Sequence, residues 1–402
     1  MRARHSLLAP VLAVALAGVA APARAQTAAE LFDINTIQEI RLSVNTRDLR
    51  TLRDTYNLNT YYTADLTWKN VKVRNVGIRS RGQGSRNPTK LGLRVDMAHY
   101  TTGQTFVGLS SLVLDNIWQD DSMLRERLAF TFFERLGQPA PRESFCRLFI
   151  NNEYQGLYAI IEEIDGDFAK RVTGETTGTV FEYHWSADRI WRAEDLGSIA
   201  NYKALLEPRT NTLEADSTLY TPIQSLFREV NGPDDAVWRE RVEQYLDLNQ
   251  YMTHVAIEQF IAENDGLLGY AGMNNFYLYR FAGTTRHRLF VWDKDNAFLF
   301  YDSPIASTDT NVLFRRAMTY PDLRETYLST LEQCAQIART DDFLALEIDR
   351  LTAIVFDAAK ADTRKQFDNA RYDDAVAFLR VFAAVRPQQV LTEVARIRKG
   401  GL

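Results

Sequence analysis

The hydrophobic periodicity of this chain changes along its length, and that change restricts the possible folds more than any other feature. Four early runs alternate apolar and polar residues: 40–44, 63–68, 71–78 and 91–97. Alternation of period two is typical of half-buried strands. From about residue 322 to 397 apolar residues instead recur at helical spacing, with Leu351, Ile354 and Val355 on one stripe. The pattern therefore predicts an α+β fold, with a β-rich first part and a mostly helical second part.

One long helix is expected within the strand-rich part. Its apolar residues recur at spacing four from Leu124 to Leu136, Gly137 follows, and Asp120 or Asp121 can cap the first turn. A hairpin at 144–150 and 156–162 then completes a sheet that ends near residue 165. In the second part the sequence predicts a helix at 246–263 and a hairpin at 274–281 and 287–292. The irregular segment 186–215 is predicted to be an inserted lid or loop.

The N-terminus has the order of parts of a secretory signal peptide. Basic residues precede an apolar run at 7–21, and a small-x-small cleavage site ends at Ala25. Cleavage there would remove three arginines and no acid, which lowers the formal charge from −5 to −8. The sequence therefore predicts export, to a secreted or periplasmic location. Residues 1–25 would be the signal peptide, 26–165 the β-rich part with one long helix, and 166–402 the mostly helical part.

Charge and hydropathy exclude two classes of partner. Acids outnumber Lys and Arg, 52 to 47, and an acidic chain does not suit a polyphosphate backbone, so nucleic acid is not expected as a partner. No run after the signal peptide approaches the ~20 apolar residues of a membrane span, so membrane insertion is not expected. The two cysteines, Cys146 and Cys334, fit either two buried thiols or one disulfide in an exported protein.

Carboxylates gather at two places in the second part. Asp265 follows the 246–263 helix, and Asp293 and Asp295 follow an apolar strand, with Asn275 between the two places. Carboxylate and amide oxygens suit a hard cation such as Mg²⁺, which also takes phosphate oxygens. Turn and capping chemistry is the alternative interpretation, because Asn and Asp supply it in most proteins.

A glycine-rich loop lies in the first part. Arg81, Gly82, Gly84 and Ser85 belong to it, and Lys90 follows at a strand start. Backbone amides and arginines in such a loop can hold phosphate, although a plain hairpin loop has the same composition. A glycine-rich loop and a lysine, followed by Asp, Asn and Asp in a helical part, is the order of parts in a kinase.

Five stretches resemble, in order, the motifs of the CotH-type (spore coat protein H-like) secreted kinases. They are IRSRGQGS at 78–85 with KLGL at 90–93, DSMLR at 121–125, INNEYQGLY at 150–158, NFYLY at 275–279 and WDKD at 292–295. The resemblance runs from about residue 40 to 300. It implies an atypical, two-lobed protein-kinase-like fold that uses ATP to phosphorylate exported proteins.

The resemblance also implies roles for single residues. Lys90 would hold the nucleotide phosphates, with Glu126 or Glu134 as candidate acidic partners. Asp265 would be the catalytic base. Mg²⁺ or Mn²⁺ would be held by Asp293 and Asn275, with Asp295 in support. The adenine would lie against the backbone of the hinge strand at 159–163, with Glu162 there or nearby.

The sequence thus predicts a kinase that transfers the γ-phosphoryl group of ATP to a protein hydroxyl. Three alternatives remain open: a pseudokinase that binds without transfer, a structural surface or coat protein, and a hydrolase that uses the carboxylates without nucleotide. Scarcity of ATP outside the cytoplasm favours the non-catalytic alternatives.

Overall fold

A computed structural model describes residues 26–306 and 311–400 of the chain. The predicted signal peptide at 1–25 lies outside the described residues. Within them the fold is mixed α+β, as the periodicity predicts. No helix in this part of the chain is both long and apolar enough to cross a membrane.

Seven strands form a closed barrel in the order β1-β2-β3-β4-β5-β7-β6, in which a parallel pair of β1 and β6 closes the ring and the other neighbours are antiparallel. The barrel strands are β1 Gln38–Val44, β2 Tyr62–Trp68, β3 Val71–Ser80, β4 Leu93–Asp96, β5 Ser111–Asp115, β6 Glu143–Ile150 and β7 Glu153–Glu162. Closure pairs every strand with two neighbours, so the barrel has no exposed edge.

Strands β6 and β7 are buried on both faces over most of their length. Leu148 and Ile160 face the interior of the barrel and pack in its core. Their neighbours in the alternating register, Phe145 and Ile161, belong to the larger core outside the barrel. The two strands therefore join the barrel to the rest of the molecule.

A second, four-stranded sheet follows in the order β11-β10-β8-β9. Its strands are β8 Thr179–Tyr183, β9 Leu206–Pro208, β10 Phe276–Arg280 and β11 His287–Val291. The helices are α1 Ala28–Leu31, α2 Thr46–Asp54, α3 Arg125–Arg135, α4 Gly166–Thr173, α5 Ile199–Lys203, α6 Asp216–Val230, α7 Trp238–Glu243, α8 Leu248–Phe260, α9 Val312–Ala317, α10 Pro321–Arg339, α11 Phe343–Ala361 and α12 Asn369–Arg398.

Helix α8 is the centre of the larger core. Its apolar pattern predicts one buried face, but the structure buries it nearly all round, including the polar residues His254, Glu258 and Gln259. Buried polar groups require partners, so these residues indicate that α8 supports more than packing. The C-terminus of α8 leads directly to Asp265.

The structure differs from the sequence-based prediction at several elements. Helix α2 and strands β5 and β8 were not expected. The segment 186–215 is not a plain loop, because it contains α5 and β9 and buries Trp191 and Tyr202 in the larger core. Of the two alternatives for the cysteines, the structure has two buried free thiols at Cys146 and Cys334.

The structure decides which aspartate caps helix α3. Both oxygens of Asp120 accept hydrogen bonds, from Ser122 N (2.8 Å), Ser122 Oγ (2.6 Å) and Arg125 N (2.7 Å), and the side chain is buried. The adjacent Asp121 instead pairs with Arg371, whose side chain is 66% exposed. The N-cap residue, Leu124, makes no side-chain cap bond, so Asp120 is the aspartate that binds the first backbone N–H of the helix.

We expect Asp120→Ala to lower the free energy of unfolding by about 1–3 kcal/mol, because it removes a cap and leaves buried donors without an acceptor. Asp121→Ala is the matched control and should cost less than about 1 kcal/mol, since it removes an exposed ion pair. Urea denaturation followed by circular dichroism measures both values. Equal losses in the two variants would contradict the assignment of the cap.

Candidate active site

A cavity of about 580 Å³ lies between the barrel and the second sheet. One wall is the glycine-rich loop after β3, residues 81–86. The facing wall is formed by β8, β9 and β10 together with the segments that carry Asp265 and Asp293. The barrel thus presents backbone amides and arginines, and the second sheet presents carboxylates and carboxamides, to the same space.

The glycine-rich loop is held from behind by Asn116, which is fully buried. The Asn116 Nδ2 atom donates to Ser85 O (3.0 Å) and to Lys90 O (2.7 Å), so it joins the two ends of the loop. Gly82 has a φ of 97°, where a side chain is strained, and a Cβ atom there would overlap Ser85 Oγ. Asn116 carries no functional signal in the sequence, because an asparagine in a connection is typical of an ordinary turn.

The end of helix α8 positions Asp265. The backbone N–H of Asp265 donates to Glu263 Oε1 (2.7 Å), and Asp265 Oδ2 accepts from the Nδ2 atoms of Asn274 and Asn275 (3.1 Å each). Two donors on one oxygen fix the side-chain rotation and leave the other oxygen to face the cavity.

Asp293 and Asp295 follow β11, and both line the cavity. Lys294, between them, points to the opposite side and is fully buried, with its Nζ atom 2.9 Å from Glu258 Oε1. Asp293 has a φ of 49°, a left-handed conformation that is uncommon for residues with a Cβ atom. The buried lysine therefore holds the loop that presents the two carboxylates.

Burial and neighbouring carboxylates raise the pKa of several acids at this place. Burial raises the pKa of Asp293, and Asp115 raises it further, whereas Arg81 lowers it. Burial and Asp293 raise the pKa of Asp295 well above its usual range. Burial, Glu143 and Asp293 do the same to Glu126 on α3. Carboxylates that repel one another around a partly buried space are a good donor set for a divalent cation.

The arginines of the cavity fall into two groups. Arg81 pairs with Asp115 (2.7 Å), and Arg94 and Arg209 each pair with Glu163 (3.2 and 3.3 Å). Arg79 and Arg86 form the second group.

Both Arg79 and Arg86 donate to the neutral Asn59 Oδ1 (3.3 and 2.6 Å), and no carboxylate in the described ranges lies within 4 Å of either guanidinium. Burial and the charge of Arg79 lower the pKa of Arg86. These two cations are therefore available to an anion from outside.

The structure brings eight of the ten predicted site residues to the cavity. They are Arg81, Gly82, Gly84, Ser85, Asp265, Asn275, Asp293 and Asp295. The structure thus brings these residues close together, and the role of each one stays a prediction.

Lys90 and Glu162 are the two predicted residues that do not reach the cavity. Lys90 Nζ lies 2.7 Å from Asp362 Oδ2, and both side chains are fully buried, so neither Glu126 nor Glu134 is its partner. Glu162 pairs with Arg142 and Arg171 behind the cavity (2.7 and 2.5 Å), while its neighbour Glu163 lines it. Lys90 at the phosphates and Glu162 at or near the adenine stay predictions, although neither side chain lines the cavity.

A group with metal-ligand geometry lies on the wall that faces the glycine-rich loop. Glu182, His184 and Glu207 place their donor atoms within 4.8 Å of one another. His184 Nε2 lies 2.8 Å from Glu207 Oε2, and the guanidinium of Arg209 lies 3.5 and 3.7 Å from the two glutamates. Because Arg209 already supplies the positive charge, this cluster is an internal ion-pair network.

Comparison with known proteins agrees with these motifs. The family model described as CotH kinase protein matches residues 78–390. The chain is 23% identical to the inner spore coat protein H of Bacillus subtilis over 314 residues, which cover 76% of this chain and 83% of that protein. It is also 24% identical to the invasin CotH3 of Rhizopus delemar over 190 residues, 45% of this chain and 30% of that protein.

We expect the metal-free protein to lose stability as the pH rises from 5 to 8. Burial raises the pKa of Glu143 and of Glu263 from 4.5 to about 8 in the folded chain. Between those values the folded state keeps protons that the unfolded state releases. The free energy of unfolding therefore falls with rising pH, by at most about 1.4 kcal/mol per pH unit for each carboxyl.

Chemical denaturation at several pH values without divalent cations measures this slope. Glu143→Gln and Glu263→Gln should each make it shallower, whereas the surface variant Glu229→Gln should leave it unchanged. A slope that is the same in all four proteins would mean that these two carboxyls ionise normally in the folded chain.

Proposed function

Because this chain belongs to the CotH kinase protein family, we propose that it is an atypical protein kinase that transfers the γ-phosphoryl group of ATP to a hydroxyl of a protein substrate. One observation carries the proposal. A single cavity of about 580 Å³ combines a glycine-rich loop and unpaired arginines with the carboxylates of Asp265, Asp293 and Asp295. Transfer of a phosphoryl group requires both kinds of group, because phosphate and its metal carry opposite charges.

We further propose that the architecture corresponds to two kinase lobes. Residues 26–165, with the barrel, would be the counterpart of the N-terminal lobe, and residues 166–402 would be the mostly helical C-terminal lobe. The position of the cavity between the barrel and the second sheet supports this division, since a kinase binds its nucleotide between its lobes.

The phosphates would lie against the glycine-rich loop. Its backbone at Gly82, Gly84 and Ser85 can approach closely, and Arg81 stands beside it. Because Lys90 is engaged with Asp362, we assign the positive charge near the phosphates to Arg79 and Arg86, the two arginines without carboxylate partners. Their guanidinium groups suit phosphate oxygens.

Asp293 and Asn275, with Asp295 in support, would hold Mg²⁺ or Mn²⁺. The raised pKa values of Asp293 and Asp295 fit such an ion, because a cation there would offset the repulsion from neighbouring carboxylates. A bound ion would neutralise negative charge on the phosphates during transfer.

Asp265 would orient the substrate hydroxyl. Its Oδ2 is held by Asn274 and Asn275, which leaves Oδ1 to accept a hydrogen bond from the attacking O–H group. The hydroxyl oxygen bonds to the γ-phosphorus as the bond from that phosphorus to the β–γ bridging oxygen breaks, and ADP leaves. The hydroxyl proton passes to Asp265 late in the step, the role of a general base.

A noncatalytic role is the second candidate. Among the described residues that line the cavity there is no lysine, because Lys90 is used elsewhere. The name of the Bacillus subtilis relative, a spore coat protein, also favours a structural role. In that case the cavity would bind a nucleotide and metal without transfer.

We also propose that the chain is exported and cleaved after Ala25, on the order of basic, apolar and small residues at its N-terminus. Intact-mass analysis of the exported protein should give Gln26 as the first residue. A protein that keeps Met1 would disprove the proposal.

We expect Asp265→Asn to bind ATP with Mg²⁺ or Mn²⁺ as the wild type does but to lose phosphoryl transfer by at least about tenfold, because the amide oxygen is a poor base. Autophosphorylation with labelled ATP measures transfer, and calorimetry measures binding. Asp293→Ala is the contrasting variant and should lose metal-dependent binding itself. The surface variant Asp216→Asn is the control and should match the wild type.

Two outcomes would contradict these assignments. Undiminished transfer by Asp265→Asn would show that the base is another residue. Wild-type protein that binds nucleotide but never transfers phosphate would support the noncatalytic candidate.

A further inference from the structure

We propose that Lys90 and Asp362 form a buried latch that positions the glycine-rich loop, so that Lys90 is a positioning residue of the nucleotide site and not a phosphate ligand. The consequence for nucleotide binding rests on the proposed function. The latch itself rests on the packing of residues 362–371 against the barrel. We call these residues the connector; they comprise the segment between α11 and α12 and the first turn of α12.

Lys90 follows the glycine-rich loop, and its backbone is tied to that loop. Its N–H donates to Asn87 Oδ1 (2.7 Å), and its carbonyl accepts from Asn116 Nδ2 (2.7 Å). The same amide group of Asn116 donates to Ser85 O (3.0 Å). A displacement of Lys90 therefore displaces the backbone that faces the cavity.

Asp362 uses both of its carboxylate oxygens. The Oδ1 atom accepts from Arg364 N (2.9 Å) and Lys365 N (3.2 Å), which fixes the turn of the connector. The Oδ2 atom accepts from Leu157 N on β7 (3.0 Å) and lies 2.7 Å from Lys90 Nζ. One carboxylate thus joins the connector, the barrel and the loop.

Gly156 makes room for this carboxylate. Its φ is 122°, and a Cβ atom at that position would overlap the Asp362 carboxylate. Glycine is therefore required in the β6–β7 hairpin because Asp362, about 200 residues away in the sequence, packs against it. The barrel surface is shaped to accept Asp362.

The rest of the connector extends the contact. Arg364 Nη1 donates to Thr89 O (3.1 Å), next to Lys90, and Gln366 Nε2 donates to Trp118 O. The Arg371 guanidinium pairs with Asp121 (2.6 Å). These partners belong to the loop and to the β5–α3 connection, which also carries Asn116. The connector therefore clamps both segments that set the position of the loop.

The positive charge of Lys90 and the negative charge of Asp362 balance each other only while both residues are present. Burial lowers the pKa of Lys90, and Asp362 opposes that shift. Removal of one partner leaves an unpaired charge in a place without water, whereas removal of both does not. The two residues should consequently respond to mutation as one unit.

The experiment is a double-mutant cycle in the full chain, with Lys90→Met, Asp362→Asn and the double variant. Two quantities are measured: hydrogen–deuterium exchange of the amides of residues 82–90, and the Kd for ATP with Mg²⁺. We expect faster exchange in both single variants and a Kd raised by about fivefold or more in each, at the lower end of typical coupling between sites. The double variant should be no worse than either single one.

Lys360→Met is the matched control, because Lys360 pairs with Asp373 near the same connector but has no contact with the loop. It should leave the loop exchange unchanged.

The Asp362→Asn variant separates a latch from a phosphate ligand. If Lys90 bound phosphate directly, loss of its partner would leave the Kd unchanged or lower it, and that result would overturn the proposal. Thermal destabilisation with unchanged exchange in residues 82–90 would overturn it as well. If the wild type bound no nucleotide, the proposed function would fail. The exchange measurement alone would then test whether the latch positions the loop.

Discussion

A buried ion pair beneath the cavity, between Lys294 and Glu258, determines where both acidic segments of the site lie. Lys294 Nζ also donates to Asn275 O (3.0 Å), and Glu258 Oε2 accepts from Leu267 N (2.7 Å). One pair thus connects helix α8, the segment after it and the loop after β11. Loss of one partner of a buried pair typically costs about 3–5 kcal/mol, while an apolar replacement of both is often neutral. The pair is therefore better explained by the geometry that it imposes than by net stabilisation.

That geometry includes backbone conformations that the local sequence does not favour. Asn275 and Asp293 have φ values of 57° and 49°, in the left-handed region, where asparagine and aspartate are enriched. A Cβ atom at Gly266 would lie 2.5 Å from a Glu258 oxygen, so the segment can pass over the ion pair only with glycine there. Strained residues around buried polar groups are common at functional sites, because the surrounding packing maintains them.

Local patterns were sufficient for most elements of the fold. Alternation identified β1 to β4, and spacing-four apolar residues identified α3 and the C-terminal helices, because each pattern reflects one buried face. The same reasoning failed for β5 and β8. Strand β5, Ser111–Asp115, is buried on both faces and so does not alternate. It also failed for α2, Thr46–Asp54, where only Leu49 and Leu52 are buried.

For the site, the sequence by itself determined which candidate residues are present, because glycine, arginine, asparagine and aspartate are residue types that can hold phosphate and metal. It placed Arg81, Asp265 and Asp293 among the candidate residues, and all three line one cavity. Only the tertiary structure decided which charges are free. Lys90 is neutralised by Asp362, a residue 272 positions away in the chain, whereas Arg79 keeps neutral partners. Charge pairing depends on distance in space, and sequence separation carries no information about it.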